Sequence, residues 1–381
     1  MATVKNWQLG RDMEYPYEGN RPKRQISMIF DINKCIACQT CTMACKTTWT
    51  SGKGQEAVFW NNVESKPYGF YPLAWDVMAL DLLGSQPWSG DTYKGKTIFE
   101  DTSMDEKVRG YLPDEMDYTS PNLGEDEASG IQTTEGDYIK GPTHKSWGFY
   151  LPRICNHCTY PGCLAACPRK AIYKRQDDGI VLIDQSKCRG YRECVKACPY
   201  KKAFYNNTTR VSEKCIACYP KIEKGEMNQC VTNCIGRIRI SGFKSADPAK
   251  GVRKNNVIDF LVHVRKVALP LYPQFGTEPS NYYIPPVHVD PAYLAQMFGP
   301  GVENAIKQYR NAGKDKELLA ALILFGNTEK ISDTFKYDEK TDEAVGYDEA
   351  GKETVRVPLT EPIYIRKVKN MKSGAFLTNN T

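Results

Sequence analysis

Two hydrophobic rhythms run along this chain, and a long stretch follows neither. Residues 171–174 and 179–184 alternate in the manner of half-buried strands on either side of Asp178-Gly179, which predicts a short hairpin. Asp290-Pro291 supplies an N-cap and a proline at the first helical position, so a helix is expected to run to about Phe298. Residues 302–311 and 316–325 carry apolar positions at helical spacing and predict two further amphipathic helices. Residues 343–347 and 354–357 flank a Glu349-Ala350-Gly351 turn and predict a second hairpin. Between residues 46 and 154 no period is sustained, so irregular structure facing a partner or solvent is expected. The longest apolar run, residues 318–325, falls far short of the roughly 18 residues that span a membrane. The opening residues are polar, and no secretory leader is expected from them.

All 15 cysteines fall into four short groups. Cys35, Cys38, Cys41 and Cys45 follow C-x2-C-x2-C-x3-C; Cys155, Cys158, Cys163 and Cys167 precede Pro168. Cys188, Cys194 and Cys198 precede Pro199, with Tyr191 where a further cysteine would stand; Cys215, Cys218, Cys230 and Cys234 complete the set. An odd count argues against a disulfide scaffold. Zinc sites also use C-x2-C pairs, but a tetrahedral ion has no use for the C-x3-C element that recurs in all four groups. Thiolates one helical turn apart share a face, so the third can serve one iron–sulfur cluster while the fourth reaches the next.

The second and third groups enclose the predicted hairpin, the layout of a two-cluster ferredoxin, which leaves the first and fourth to pair across the intervening sequence. Fourth-cysteine exchange then assigns Cys35, Cys38, Cys41 and Cys234 to one 4Fe-4S cluster. Cys215, Cys218, Cys230 and Cys45 hold a second, and Cys155, Cys158, Cys163 and Cys198 a third. Cys188, Cys194 and Cys167 remain as three thiolates beside Tyr191. They are expected to hold a 3Fe-4S cluster, or a four-iron cluster with an oxygen ligand. His157, between two ligands, is placed to hydrogen-bond a sulfur; no histidine is expected to bind haem. No catalytic residue is expected on this chain.

The predicted fold is α+β, with two interleaved bacterial-ferredoxin-like units. Residues 1–30 form an N-terminal arm, 31–45 plus 209–245 a first unit, and 46–145 a partner-facing insertion. Residues 146–208 form the second unit, and 246–381 a mainly helical C-terminal extension wrapping partner subunits. Net charge is +6 at pH 7, unevenly spread. Residues 101–137 hold eleven acidic and two basic side chains, whereas 145–239, with three cysteine groups, hold eighteen basic and seven acidic. Cations near anionic clusters favour their reduced forms. No nucleic-acid signature accompanies that basic stretch, so no nucleic-acid partner is expected.

With four cysteine groups, one short of a ligand, the chain resembles the iron–sulfur (beta) subunits of the dimethyl-sulfoxide-reductase family of molybdenum enzymes. The segments NWQLGRDMEYPYE (6–18), PRICNHCTYPGCLAACPRKAIYKR (152–175), RVSEKCIACYP (210–220) and VALPLYPQFGTEPSNYYIPP (267–286) look most like nitrite oxidoreductase. Nitrate, selenate, (per)chlorate and ethylbenzene enzymes share the cysteine core. The resemblance implies a large molybdopterin-containing catalytic subunit and a haem-containing or other redox partner. It implies nitrite-to-nitrate chemistry on the partner and none here. It also implies an aromatic residue at the place of Tyr191 in nitrate-reductase beta subunits, in keeping with three irons. The expected location is peripheral to a membrane, on its non-cytoplasmic side by co-export with the catalytic subunit, the cytoplasm being the alternative. The reading from another class is a free-standing polyferredoxin; the roughly 200 residues outside the cysteine groups argue against it.

Overall fold

Arg24–Asp31 is a strand at the centre of the molecule, buried along almost its whole length although four of its eight residues, Arg24, Gln25, Ser27 and Asp31, are polar. In the computed structural model, which describes residues 2–67, 71–102, 106–118 and 147–360 and the backbone of Ile365–Lys369 and Phe376–Asn380, it has two neighbours. Arg239–Ser245 lies antiparallel on one side, Phe30 facing Arg239. Asn281–Ile284 lies parallel on the other and pairs in turn with Leu269–Pro270. Phe30 stacks on Tyr283 at 5.0 Å across the parallel pair. One four-stranded sheet thus joins three distant parts of the sequence, immediately beside the first and last cysteine groups.

Small elements carry the cysteines. Helix Thr40–Trp49 packs against Gln229–Thr232, and Gly162–Ala165 packs against Glu193–Ala197. The expected hairpin forms from Ile172–Lys174 and Val181–Ile183, and Ala203–Asn206 pairs with Val211–Lys214 in a second.

The N-terminal arm is a correction. Ala2–Asn6 and Arg11–Tyr15 pair as an antiparallel hairpin on this chain's own core, with Leu9, Met13 and Tyr15 buried. Asn6 Nδ2 donates to the Gly276 carbonyl at 3.0 Å and Gln8 Nε2 to that of Pro279 at 2.9 Å. Alternation in Arg-Asp-Met-Glu-Tyr marks the strand; polar composition masked it. The C-terminal extension is a second correction. Pro291–Phe298, Val302–Arg310 and Lys316–Ile323 are helical, the first and third capped by Asp290 and Asp315. The sheet Thr334–Asp338, Glu343–Tyr347, Glu353–Pro358 and the strand pair Ile365–Lys369 and Phe376–Asn380 follow, so the extension is mixed and not mainly helical.

The insertion is also more ordered than its composition suggests, although residues 119–146 lie outside the described ones. Asn62–Lys66 pairs with Phe149–Arg153, and helix Trp75–Leu83 packs nearby. Glu64, fully buried, accepts from Arg153 Nε at 2.8 Å and Trp75 Nε1 at 2.9 Å, and lies 3.4 Å from Lys66 Nζ. Lys66 Nζ reaches Asp76 at 2.6 Å, and Tyr272 OH donates to the same oxygen at 2.7 Å. Burial pushes the Asp76 carboxyl up, but Lys66 and Tyr272 outweigh it and hold it below the ordinary range. Its contribution to stability is present above that range and is lost as pH falls through the lowered value. Removing one partner of such a network strands buried charge, so Glu64→Gln should cost about 3 to 5 kcal/mol. Thermal melting checks this; a variant that melts with the wild type contradicts it.

Candidate metal centres

The four cysteine loops share one backbone course. The residue before the second ligand position has a positive φ in each: Ala37 at 54°, His157 at 42°, Gly190 at 66° and Ala217 at 52°. A Cβ on Gly190 would lie 2.4 Å from the Arg210 carbonyl, so only glycine fits. Tyr191 therefore occupies the backbone station of Cys38, Cys158 and Cys218, an equivalence that spacing alone suggested. Three residues beyond the closing cysteine, Lys170, Lys201 and Arg237 each turn left-handed at 49°. Backbone N–H groups are aimed at sulfur: Ala171 at Cys167 (3.3 Å), Lys202 at Cys198 (3.4 Å), Ser212 at Cys188 (3.3 Å) and Gln229 at Cys218 (3.4 Å).

All 15 cysteines are free thiols. Cys155, Cys158, Cys163 and Cys198 line one cavity. Cys45, Cys215, Cys218 and Cys230 line a second, although Cys45 lies 170 residues from Cys215. Cys167, Cys188 and Cys194 line a third, with Tyr191, 60% exposed, at its wall. Cys35, Cys41 and Cys234 surround the Arg239 guanidinium, which donates from Nη2 to Cys41 Sγ at 2.8 Å; Cys38 is exposed. Among the described residues no three Cys, His, Asp or Glu side chains converge as ligands of a single ion would. The thiols stand apart around rooms, as a polynuclear centre requires and one zinc ion does not.

Neighbouring rooms adjoin. Cys41 acts electrostatically on Cys45 and Cys230, Cys155 on Cys215, and Cys198 on Cys194. The sites therefore follow one another in a line. At one end Cys38 is exposed beside Ile36 and Ile235, which are 66% and 68% exposed; at the other stands Tyr191. The two inner rooms have mostly buried thiols.

Burial pushes the Cys194 and Cys230 thiols up to about 12 and that of Cys35 to about 11, with neighbouring thiols adding to the effect. Cys45, Cys158, Cys163 and Cys215 move in the same direction for the same cause. Cations move oppositely: burial pulls Lys174 and Lys201 down to about 7, and Lys202 well below the ordinary value. Lys202 feels both Cys198 and Cys45, so it stands between the two inner rooms. For Arg239 burial is outweighed by the surrounding thiols, and the guanidinium is held charged. Thiols that will not ionise beside ammonium groups that will not stay charged are one electrostatic misfit, and an anionic cluster removes both halves of it. Two buried donors also lack protein partners: Trp60 Nε1 in the second room and Arg239 Nε. The donor set, the room and the charge balance fit iron–sulfur clusters.

Sequence reasoning counted the basic residues but did not single out Lys174, Lys201, Lys202, Lys214 or Arg239. Their signal was position, next to or within four residues of cysteines in most cases. Nor did it single out Trp49, whose Nε1 donates to Cys218 Sγ at 3.2 Å.

A polypeptide with these thiol-lined rooms is an iron–sulfur electron-transfer protein. Residues 146–244 match the family described as a 4Fe-4S dicluster domain. The chain is 41% identical over 341 residues to the selenate reductase subunit beta of Thauera selenatis, covering 81% of this chain and 98% of that protein. It is 41% identical over 342 residues to the chlorate reductase subunit beta of Ideonella dechloratans, with the same coverage. To the respiratory nitrate reductase subunit beta of Haloferax mediterranei it is 41% identical over 341 residues, 78% of this chain and 90% of that one. The chain belongs to the iron–sulfur beta subunits of the dimethyl-sulfoxide-reductase family of molybdoenzymes, which are non-catalytic electron-transfer subunits of oxidoreductase complexes. It pairs with a catalytic molybdopterin subunit. No helix among the described residues is long and apolar enough to cross a membrane.

Arg239 faces Cys35, Cys41 and Cys234 of the first site and Cys230 of the adjoining one, so Arg239→Gln should release iron from these two sites to a chelator several-fold faster than wild type. The other sites should keep their rates. Equal release from all sites, or none, would contradict that role.

Proposed function

We propose that this chain is a linear wire of three 4Fe-4S clusters and one 3Fe-4S cluster. Cys35, Cys38, Cys41 and Cys234 hold the first; Cys45, Cys215, Cys218 and Cys230 the second; Cys155, Cys158, Cys163 and Cys198 the third; Cys167, Cys188 and Cys194 the three-iron centre. Two interleaved ferredoxin-like units, 31–45 with 209–245 and 146–208, frame them. The observation that carries the reading is the succession of four thiol sites, the inner two lined mostly by buried thiols and the outer two marked by exposed Cys38 and Tyr191. A wire needs contacts at its ends and insulation between them. Iron–sulfur clusters supply one-electron chemistry; the chain's own groups space them, exclude water and balance their charge. The ends serve the molybdopterin subunit and a haem-containing or other redox partner.

Resemblance of residues 6–18, 152–175, 210–220 and 267–286 to nitrite oxidoreductase supports nitrite-to-nitrate oxidation on the catalytic subunit, at the non-cytoplasmic face of a membrane. The native complex, assayed in sealed vesicles of known orientation, should be reduced by nitrite added on that side. A complex inert to nitrite, or reached only from the cytoplasmic side, overturns that part of the reading.

Two substitutions test the ligand sets. Cys45→Ala should disturb the cluster of Cys215, Cys218 and Cys230 and leave that of Cys35, Cys38 and Cys41 ligated at every corner. Because the shared site closes a loop of about 170 residues, the variant should also lose stability. A Mössbauer spectrum with damage confined to the cluster of Cys35, Cys38 and Cys41 overturns the exchange. Tyr191→Cys should raise iron from about fifteen to about sixteen atoms per chain and lower the potential of that centre. An unchanged iron count overturns the three-iron assignment.

A further inference from the structure

His157 lies in the second cysteine loop, is 2% exposed, and lines the cavity of Cys155, Cys158, Cys163 and Cys198. One side of its ring is settled by the backbone. The amide N–H of Val181 donates to His157 Nδ1 at 3.1 Å. A nitrogen that accepts a hydrogen bond from an amide carries no proton, so the neutral ring's proton sits on Nε2. That Nε2 is buried and has no hydrogen-bond partner among the described residues. A donor withheld from water and left unsatisfied costs about 1 to 3 kcal/mol, so native proteins seldom keep one. The loop is fixed besides: φ of 42° at His157 is unusual for a non-glycine residue, and its carbonyl accepts from Gln25 Nε2 at 3.2 Å and Ser280 Oγ at 3.3 Å. Ring and backbone are both held in place, and one polar atom is held back.

We propose that His157 is a positioning residue whose Nε2–H donates to a sulfur of the cluster in this cavity, and that this bond raises that cluster's potential above what its four thiolates alone would give. The proposal rests on the cluster assignment above. A hydrogen bond to sulfur withdraws negative charge and favours the reduced form. Lys202 and Lys214, which line the same cavity, act as undirected charges; His157 supplies a directed bond to one atom. Val181 is the clamp that selects the tautomer. The cavity of Cys45, Cys215, Cys218 and Cys230 holds a donor of another kind in the same unsatisfied condition, the Trp60 indole. Sites with the same four thiolates can thus be given different potentials without changing a ligand.

Asn and Gln separate the two ends of the ring. In His157→Asn the side-chain oxygen takes the place of Nδ1, keeps the Val181 bond and tolerates the positive φ, but nothing reaches the cavity. In His157→Gln the amide N–H reaches the position of Nε2. In the purified complex, an EPR-monitored redox titration should show the potential of this cluster falling in the Asn variant and restored towards wild type by Gln, the other centres unmoved. Independently, wild-type protein labelled with 15N-histidine should show, by pulsed EPR of the reduced cluster, an exchangeable proton and a 15N coupling that Asn removes. This wild-type measurement decides the matter if the variants fail to fold. A loaded cluster with no such couplings, or with the same potential in the Asn variant, overturns the role of His157. Absence of any cluster signal in wild type overturns the reading beneath it instead.

Discussion

Lys201, Lys202, Lys214 and Arg239 give up water to stand beside sulfur, and a charge in such a place costs several kcal/mol unless something of opposite sign is bound to it. Protein carboxylates do not fill that role for most of them. Lys201 and Lys214 donate to backbone carbonyls, and Lys202 to the Asn62 side chain. Glu64, the nearest carboxylate to Lys202, is already engaged by Arg153 and Lys66. The polypeptide is therefore electrically incomplete around its cavities. Completion by an anionic centre links cofactor retention, folding and redox potential through the same few side chains.

The sheet shows how the rest of the chain serves that arrangement. Short helices of four or five residues cannot hold themselves in place, yet the three sulfur-lined cavities depend on them. Arg24–Asp31 anchors the first cysteine group to the fourth through Arg239–Ser245, which brings Arg239 into position in the same stroke. Asn281–Ile284 then ties in the second group: Asn281 Nδ2 donates to the Cys155 carbonyl at 3.1 Å, and Tyr283 OH to that of Pro152 at 2.9 Å. Length beyond a minimal ferredoxin is thus used to fix the spacing between sites.

Much of the chemistry was legible in the sequence because thiol ligands obey short-range spacing. The hairpin between the second and third groups, the capped helix after Asp290 and the gap at Tyr191 are all local patterns. The N-terminal hairpin was misjudged because its five-residue strands place polar residues on the outer face and only Val4, Asn6, Met13 and Tyr15 inward, one of these four itself polar. The C-terminal sheet was only half seen, since the turn that joins its first strand, Thr334–Asp338, to the next, at residues 339–342, contains neither glycine nor proline. The Glu64 network was invisible for a different reason. Its members are near in space but come from residues 64 to 272, and no local pattern announces a buried ion pair.

Cys45 shares its cavity with thiols synthesised about 170 residues later, and the central strand gains its parallel neighbour only once Ile284 has emerged. The cysteines made first are thus the last to acquire companions. A nascent chain presents them as an open, oxidisable set through most of translation, and a truncated chain can never close that site. Insertion at that site consequently cannot precede the emergence of the fourth cysteine group, and the cell must keep the earlier thiols reduced and unoccupied until then.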